Sequence, residues 1–359
     1  QEGPGFAHGQ VCEVALLELS GLATAIGSLP HTDPREACDL VLRYLPEIPI
    51  WPQLPRRSFR ENMYAQFSEG FPGVVLEGER IYVHRLEPEA ESLMGSVIAL
   101  LEENRVDAFP ISDDHAAGLH AFLSRKGRIG NPTAIKGQVT GPVSWGLGVT
   151  DEGRRPALYD DVLAAALAKH LRMKAAWQEK ALQALCPNTI IFMDEPYMAS
   201  FGSAFVSLSR EKVLALWGEV LGGIQGLKGL HCCGNTDWSV VLSAPIDILS
   251  FDAYDYGQTL SLYPEEVRRF LGRGGIIAWG IVPTQEEPLG REDLGSLLAR
   301  LEEAMGFLER KGMPRERLLR QSLITPACGL GSLMPQAAAR ALELTSALSQ
   351  ALRKKVVVG

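Results

Sequence analysis

One pattern constrains this chain more than any other: a short apolar run, a turn and a stretch with helical spacing of its apolar residues recur from one end to the other. The apolar runs fall at Leu22–Ser28, Ile48–Leu54, Ala134–Thr140, Thr189–Asp194, Gly229–Cys233, Asp247–Asp252, Gly275–Val282 and Gln321–Thr325. Short apolar runs bounded by turn residues read as buried strands. The helical stretches are Pro34–Tyr44, Glu87–Asn104, Asp113–Lys126, Arg155–Leu185, Arg210–Leu221, Tyr263–Leu271, Arg291–Lys311 and Gln336–Arg353. Asp33 followed by Pro34 is a specific start signal, an N-cap acceptor ahead of a proline at the first helical position. The Ala-rich periodicity of Arg155–Leu185 predicts a long helix.

Strands alternating with helices argue for parallel βαβ units, and eight of them predict an α/β fold of the closed (β/α)8 TIM-barrel type. No GxGxxG or GxxxxGK[ST] follows any run, which weakens the competing open nucleotide-binding sheet. A ninth apolar run, Val106–Ile111, is assigned to an insertion after the second strand, covering about residues 55–130. The expected organisation is one barrel domain over residues 1–359, with a C-terminal helix within 334–359.

A chain of 359 residues with 46% hydrophobic content can bury such a core without a partner. Its 35 basic and 43 acidic residues give a net charge of −8 with no basic run, which argues against nucleic acid as a partner. No apolar stretch is long enough to span a bilayer, and Gln1–Gly9 has neither a basic region nor an apolar core, so no membrane association is expected and the location expected is cytoplasmic. Six irregularly spaced cysteines (Cys12, Cys38, Cys186, Cys232, Cys233, Cys328) do not form a disulfide framework and suit a reducing compartment.

In a barrel, chemistry belongs at the C-terminal strand ends. Side chains alternate along a strand, so His231 and Cys233 share a face and Cys232 points away. With Cys328 from the last run they make three of the four ligands of a tetrahedral zinc site, and Asp252 is the natural fourth. Three alternatives stand beside this reading. Free cysteines are often ordinary buried residues, the carboxylate of Asp252 or of nearby Asp255 could instead orient His231 from behind, and a zinc with four permanent protein ligands would be purely structural. A zinc held by two thiolates and an imidazole with a labile fourth position binds a substrate thiol, whose free pKa is about 8.5, as thiolate. Asp194 and Glu195 either cap a helix or grip an ammonium group. Ile26-Gly27-Ser28 is either a turn or a place where a ligand approaches the backbone and Ser28 meets a carboxylate. Trp51, Trp145 and Trp279 either wall a pocket or fill the core.

Taken in order, Ile26-Gly27-Ser28, Val139-Thr140-Gly141-Pro142-Val143, Asp194-Glu195-Pro196, His231-x-Cys233, the run ending at Asp252, and Cys328-Gly329-Leu330 resemble the catalytic half of cobalamin-independent methionine synthase, within the superfamily that includes uroporphyrinogen decarboxylase. Arg60–Gly73 resembles the stretch after that family's second strand. The resemblance runs from about residue 22 to 333. It implies zinc held by His231, Cys233, Cys328 and an acidic residue, homocysteine as the thiol that is methylated to methionine, Asp194 on the amino group and Ser28 with its backbone on the carboxylate. The acidic ligand of the family is usually Glu, whereas Asp252 stands here. The glutamate that follows its second strand falls near Arg57 or Ser58, and Thr284-Gln285 replace its histidine after the seventh strand. A one-barrel chain without the family's N-terminal half is expected to take its methyl group from a methylated corrinoid or corrinoid protein, with methyltetrahydrofolate as the other candidate donor. Two rival readings are a metal-free decarboxylase-like barrel using Arg56, Arg57 and Arg60, and a barrel that binds a corrinoid protein or thiol without turnover.

Overall fold

The structure is a computed structural model that describes residues 19–84, 95, 99–100, 102–203 and 206–358. Its strands are β1 (Leu22–Ala23), β2 (Val74–Glu77), β3 (Arg80–Val83), β4 (Ile135–Thr140), β5 (Thr150–Asp151), β6 (Thr189–Asp194), β7 (Leu227–Cys232), β8 (Ile248–Asp252), β9 (Ile276–Val282) and β10 (Ser322–Pro326). Seven of them form one parallel, curled sheet in the order β1-β10-β9-β8-β7-β6-β4. The second expected strand, Ile48–Leu54, does not form a regular ladder. Pro49 and Pro52 lack the N–H that a ladder needs, so the segment makes only the isolated bridges Ser28–Gln53 and Ile50–Lys136. These bridges still join the two edge strands: Gln53 N donates to Gly27 O at 3.0 Å, and Lys136 N to Pro49 O at 2.9 Å.

The alternation of side chains sorts the core into two layers. Leu22, Ile48, Ala134, Ile190, Ile248, Ile276 and Leu323 pack together inside the curled sheet. The intervening residues, such as Ile135, Ile191, Leu249, Ile277 and Ile324, join the outer core. An apolar plug thus fills the N-terminal end of the sheet interior and leaves the C-terminal ends for polar side chains.

The helix Pro34–Tyr44 starts as its cap requires, with Asp33 accepting from Arg35 N at 2.7 Å. The long helix runs over Asp161–Gln183, later than its periodicity suggests, because Asp160 accepts from both Val162 N and Leu163 N and fixes the start there. A short helix at Trp238–Ser243, capped by Asp237, was not evident in the apolar spacing. The expected helix Glu87–Asn104 lies largely outside the described residues. The C-terminal helix spans Pro335–Val358.

The stretch 55–130 carries several distinct elements. Its helix Ala117–Leu123 sits so close to the bridging segment that a Cβ on Gly118 would lie 1.8 Å from the Pro52 carbonyl oxygen, which requires glycine. Val106–Ile111 contributes a single 3-10 turn, Val106–Ala108, and no strand. The hairpin β2–β3 pairs with β5 in a separate three-stranded sheet. Among the described residues, no helix is long and apolar enough to cross a membrane.

Candidate metal and substrate site

The polar ends of the parallel strands surround a cavity of about 340 Å³. His231, at the end of β7, points inward and is 3% exposed, as its place in the alternation requires. Its Nδ1 lies 2.9 Å from Ser250 Oγ on the neighbouring β8, while its Nε2 is buried with no hydrogen-bond partner. One ligand atom from each of His231, Cys233 and Cys328 lies within 4.8 Å of the other two. A buried imidazole nitrogen without a partner, facing two thiols, is the donor set of a thiophilic cation, so these residues fit zinc. The Cys328 thiol beside Cys233, assisted by His231, draws Cys233 well below the ordinary thiol range, and the same contact pushes Cys328 up. Cys232 faces the outer layer, bonds to Gly234 O at 3.4 Å and is driven by burial up to about 12, which leaves it inert.

Asp252 stands outside this three-residue group. Its Oδ1 accepts from Asp255 N at 2.9 Å and caps the turn Ala253–Tyr256, and burial pushes its carboxyl up to about 6. The hydroxyl of Ser250, rather than a carboxylate, is what steadies the His231 ring.

Asp194, at the end of β6, lines the cavity with Oδ1 buried and without a partner. Burial raises its carboxyl above the ordinary range, opposed by the charges of His231 and Lys136. Glu195 departs from the expected substrate role. It is fully buried and does not line the cavity: Oε1 accepts from Val143 N at 3.1 Å and Trp217 Nε1 at 2.7 Å, and Oε2 from Ser144 N at 2.7 Å. It therefore caps the preceding helix, Pro142–Gly148, rather than the one that follows it. Gly141 has to be glycine for this, since a Cβ there would sit 2.1 Å from Glu195 Cδ.

Ile26 and Ser28 line the cavity, and a Cβ on Gly27 between them would lie 2.6 Å from Gln53 Oε1 and 2.8 Å from Gln138 Cδ. Ser28 Oγ accepts from Gly331 N at 3.3 Å. The three tryptophans are core residues, each fully buried: Trp51 Nε1 donates to Gln178 Oε1 at 3.1 Å, Trp145 Nε1 to Tyr64 O at 3.0 Å and Trp279 Nε1 to Ser322 Oγ at 2.9 Å. None of Arg56, Arg57 and Arg60 lines the cavity. Arg56 donates to Ser332 O, Arg57 pairs with Glu61 at 2.8 Å, and Arg60 pairs with Asp114.

Glu61 is a cavity residue that the sequence did not reveal. It is 1% exposed, and while Oε1 takes the Arg57 guanidinium, Oε2 is buried without a partner. Its one signal in the sequence is the four-residue spacing from Arg57, which becomes an ion pair once the turn Phe59–Glu61 forms.

No protein-family model matches the sequence, and no curated protein matches it. Two solved structures are similar to it. A B12-independent methionine synthase from Shewanella sp. W3-18-1, in complex with selenomethionine, superposes with a TM-score of 0.58 at 17% identity, over 95% of this chain and 100% of that one. A methyltransferase from Methanosarcina mazei superposes with a TM-score of 0.57 at 12% identity, over 96% of this chain and 97% of that one. The chain therefore shares with both an α/β fold built on a curled parallel sheet.

Proposed function

We propose that this protein is a zinc-dependent methyltransferase that activates a thiol, homocysteine, and methylates it to a thioether, methionine. The observation that carries the reading is the juxtaposition of His231, Cys233 and Cys328 with the unpartnered Asp194 carboxylate in one cavity at the strand ends. Held by those three residues, zinc would supply a Lewis-acid position at which a substrate thiol stays a thiolate at neutral pH. Asp252 is the proposed fourth protein ligand, which requires its side chain to move toward the three residues whose group it stands outside.

The chain's own groups account for an amino-acid substrate. Asp194 Oδ1 and Glu61 Oε2 are two buried acceptors without donors, suited to an ammonium group. Ser28 accepts from Gly331, which leaves its hydroxyl hydrogen to donate to a carboxylate. The apolar lining from Ile26, Pro55 and Met63 suits a methylene chain. Together these groups fix the sulfur in place relative to an incoming methyl group, whose bond to the donor breaks as the carbon–sulfur bond forms. That one structurally similar protein is a methionine synthase in complex with selenomethionine supports an amino-acid ligand. The proposed donor is a methylated corrinoid protein, with methyltetrahydrofolate as the other donor to test. The proposed unit is one barrel domain working in the cytoplasm, where thiols stay reduced.

The test is elemental analysis of protein purified without chelator or metal-affinity resin, followed by assay with homocysteine and either methylcobalamin or methyltetrahydrofolate. About one zinc per chain and methionine formed from either donor are expected. No zinc after reconstitution under reducing conditions would overturn the reading. Zinc without methyl transfer to any thiol would favour a binding protein.

A further inference from the structure

Gln53, the bridge partner of Ser28, lines the cavity and is 6% exposed. Its backbone is pinned to the turn Ile26–Ser28 from both sides: Gln53 N donates to Gly27 O at 3.0 Å, and Leu29 N donates to Gln53 O at 2.9 Å. Its side chain is fixed by a relay of amides that begins outside the cavity. The carbonyl of His115 can only accept, so the end of the Gln66 amide that meets it at 2.5 Å is the nitrogen, Nε2. Gln66 therefore offers Oε1 to Gln53, whose Nε2 donates to it at 2.7 Å. That leaves Gln53 Oε1 as an acceptor, and among the described residues it accepts from no group. The oxygen stands against the turn: a Cβ on Gly27 would lie 2.6 Å from it, so glycine is what admits the amide there. An amide that only filled space would be replaced at little cost by an apolar side chain of the same shape, whereas an acceptor held in a set orientation without a donor calls for one from outside the chain.

We propose that Gln53 is a further substrate-binding residue, whose Oε1 accepts an N–H of the substrate's ammonium group, and that Gln66 is the positioning residue that presents it. The inference rests on the proposed function in that it takes the ligand to be an amino acid with a sulfur-bearing side chain. An ammonium group carries three N–H donors. Asp194 Oδ1 and Glu61 Oε2 take two of them in that reading, and Gln53 lines the same cavity as both. Ser28, whose hydroxyl is assigned to the carboxylate, is bridged to Gln53 through the backbone, so the amide stands beside the end of the cavity that would hold both charged groups of the amino acid.

The test compares binding of L-methionine with that of 4-(methylthio)butanoate, the same molecule without its amino group, by calorimetry on the full chain. Gln53→Met, which keeps the volume and removes the amide, is expected to weaken L-methionine by about tenfold or more and to leave the desamino ligand within about threefold, the signature of a lost hydrogen bond to a charged group. Equal weakening of both ligands would mean a structural role and would overturn the inference, as would unchanged binding of L-methionine. Gln66→Met frees the Gln53 amide without altering a cavity residue and is expected to lower the preference for L-methionine over the desamino ligand by about threefold or more. An unchanged preference would overturn its positioning role. Should Gln53→Met fold poorly, N-methyl-L-methionine, whose ammonium group keeps two N–H donors, decides the matter on the wild type. It is expected to bind about tenfold or more weakly than L-methionine, and equal affinity would overturn the inference. Wild-type protein that binds L-methionine no more tightly than the desamino ligand would overturn it while leaving the proposed function standing. Wild-type protein that binds neither would instead refute the proposed function itself, and this inference with it.

Discussion

Substitution of Glu195 separates a structural carboxylate from a substrate-binding one. In Glu195→Gln the oxygen retains the two donors now on Oε1, Val143 N and Trp217 Nε1, while the new amide nitrogen faces the Ser144 N–H that Oε2 now accepts at 2.7 Å. One charge-assisted bond is lost and one buried N–H is left opposite another donor, which together cost about 2–3 kcal/mol. The anion at the start of the helix Pro142–Gly148 is lost as well, for about 0.5 kcal/mol more. The expected loss of stability is therefore about 3 kcal/mol. Burial pushes this carboxyl up to about 7, so the measurement belongs at pH 8, where the wild-type group is ionised. Equilibrium urea denaturation at that pH should show the lower stability with an unchanged slope. L-Methionine binding and zinc content should match the wild type, because Glu195 does not reach the cavity. A variant as stable as wild type but weaker in ligand binding would refute this reasoning and return Glu195 to the substrate.

Three further outcomes are expected. Ser250→Ala removes the partner 2.9 Å from His231 Nδ1 and should weaken zinc affinity by about 10- to 100-fold in competition with a chelator of known strength; affinity within twofold of wild type would show that the hydroxyl does not steady the ring. Cys233→Ser and Cys328→Ser should each lose zinc on elemental analysis while Cys232→Ser keeps it, since Cys232 faces the outer core; zinc retained by both of the first two variants would remove the metal site. His170 is fully buried with Nε2 on Phe67 O at 3.0 Å, and burial, reinforced by the charge of Lys174, lowers it to about 3. Because its folded value lies below the unfolded one of 6.5, the stability it contributes is present above pH 6.5 and is lost on acidification, by about 1.4 kcal/mol per pH unit down to about 3. Denaturation of wild type and His170→Asn at pH 7 and pH 5 should show a shallower pH dependence in the variant; equal slopes would assign the acid sensitivity to other groups.

The positions of most strands were legible because burial on both faces leaves a local mark. The apolar run Thr189–Asp194 is β6 residue for residue, and those ending at Thr140, Asp252 and Val282 end where β4, β8 and β9 end. The inward pairing of His231 with Cys233 followed from the two-residue period of a strand, and Asp33-Pro34 marked a helix start, since capping is a matter of adjacent residues. Where apolar content and hydrogen-bonding capacity disagreed, the sequence misled. Ile48–Leu54 is apolar, but its prolines deny it a regular ladder, and Val106–Ile111 is apolar without a strand to pair with.

What the sequence determined by itself is the succession of strands and helices and which residues stand at strand ends, because periodicity, capping and proline chemistry act over a few neighbouring positions. Which of those end residues share a cavity was decided only by the tertiary structure. Parallel pairing around the curled sheet brings Ile26, Glu61, Asp194, His231 and Cys328 together across some 300 positions of chain. It gives Glu195 to a helix terminus, His231 to Ser250 and Lys136 to the Ile26 carbonyl. Each of these partnerships joins buried polar atoms that must be satisfied by whatever the fold places beside them, and no local pattern in the sequence encodes that neighbour.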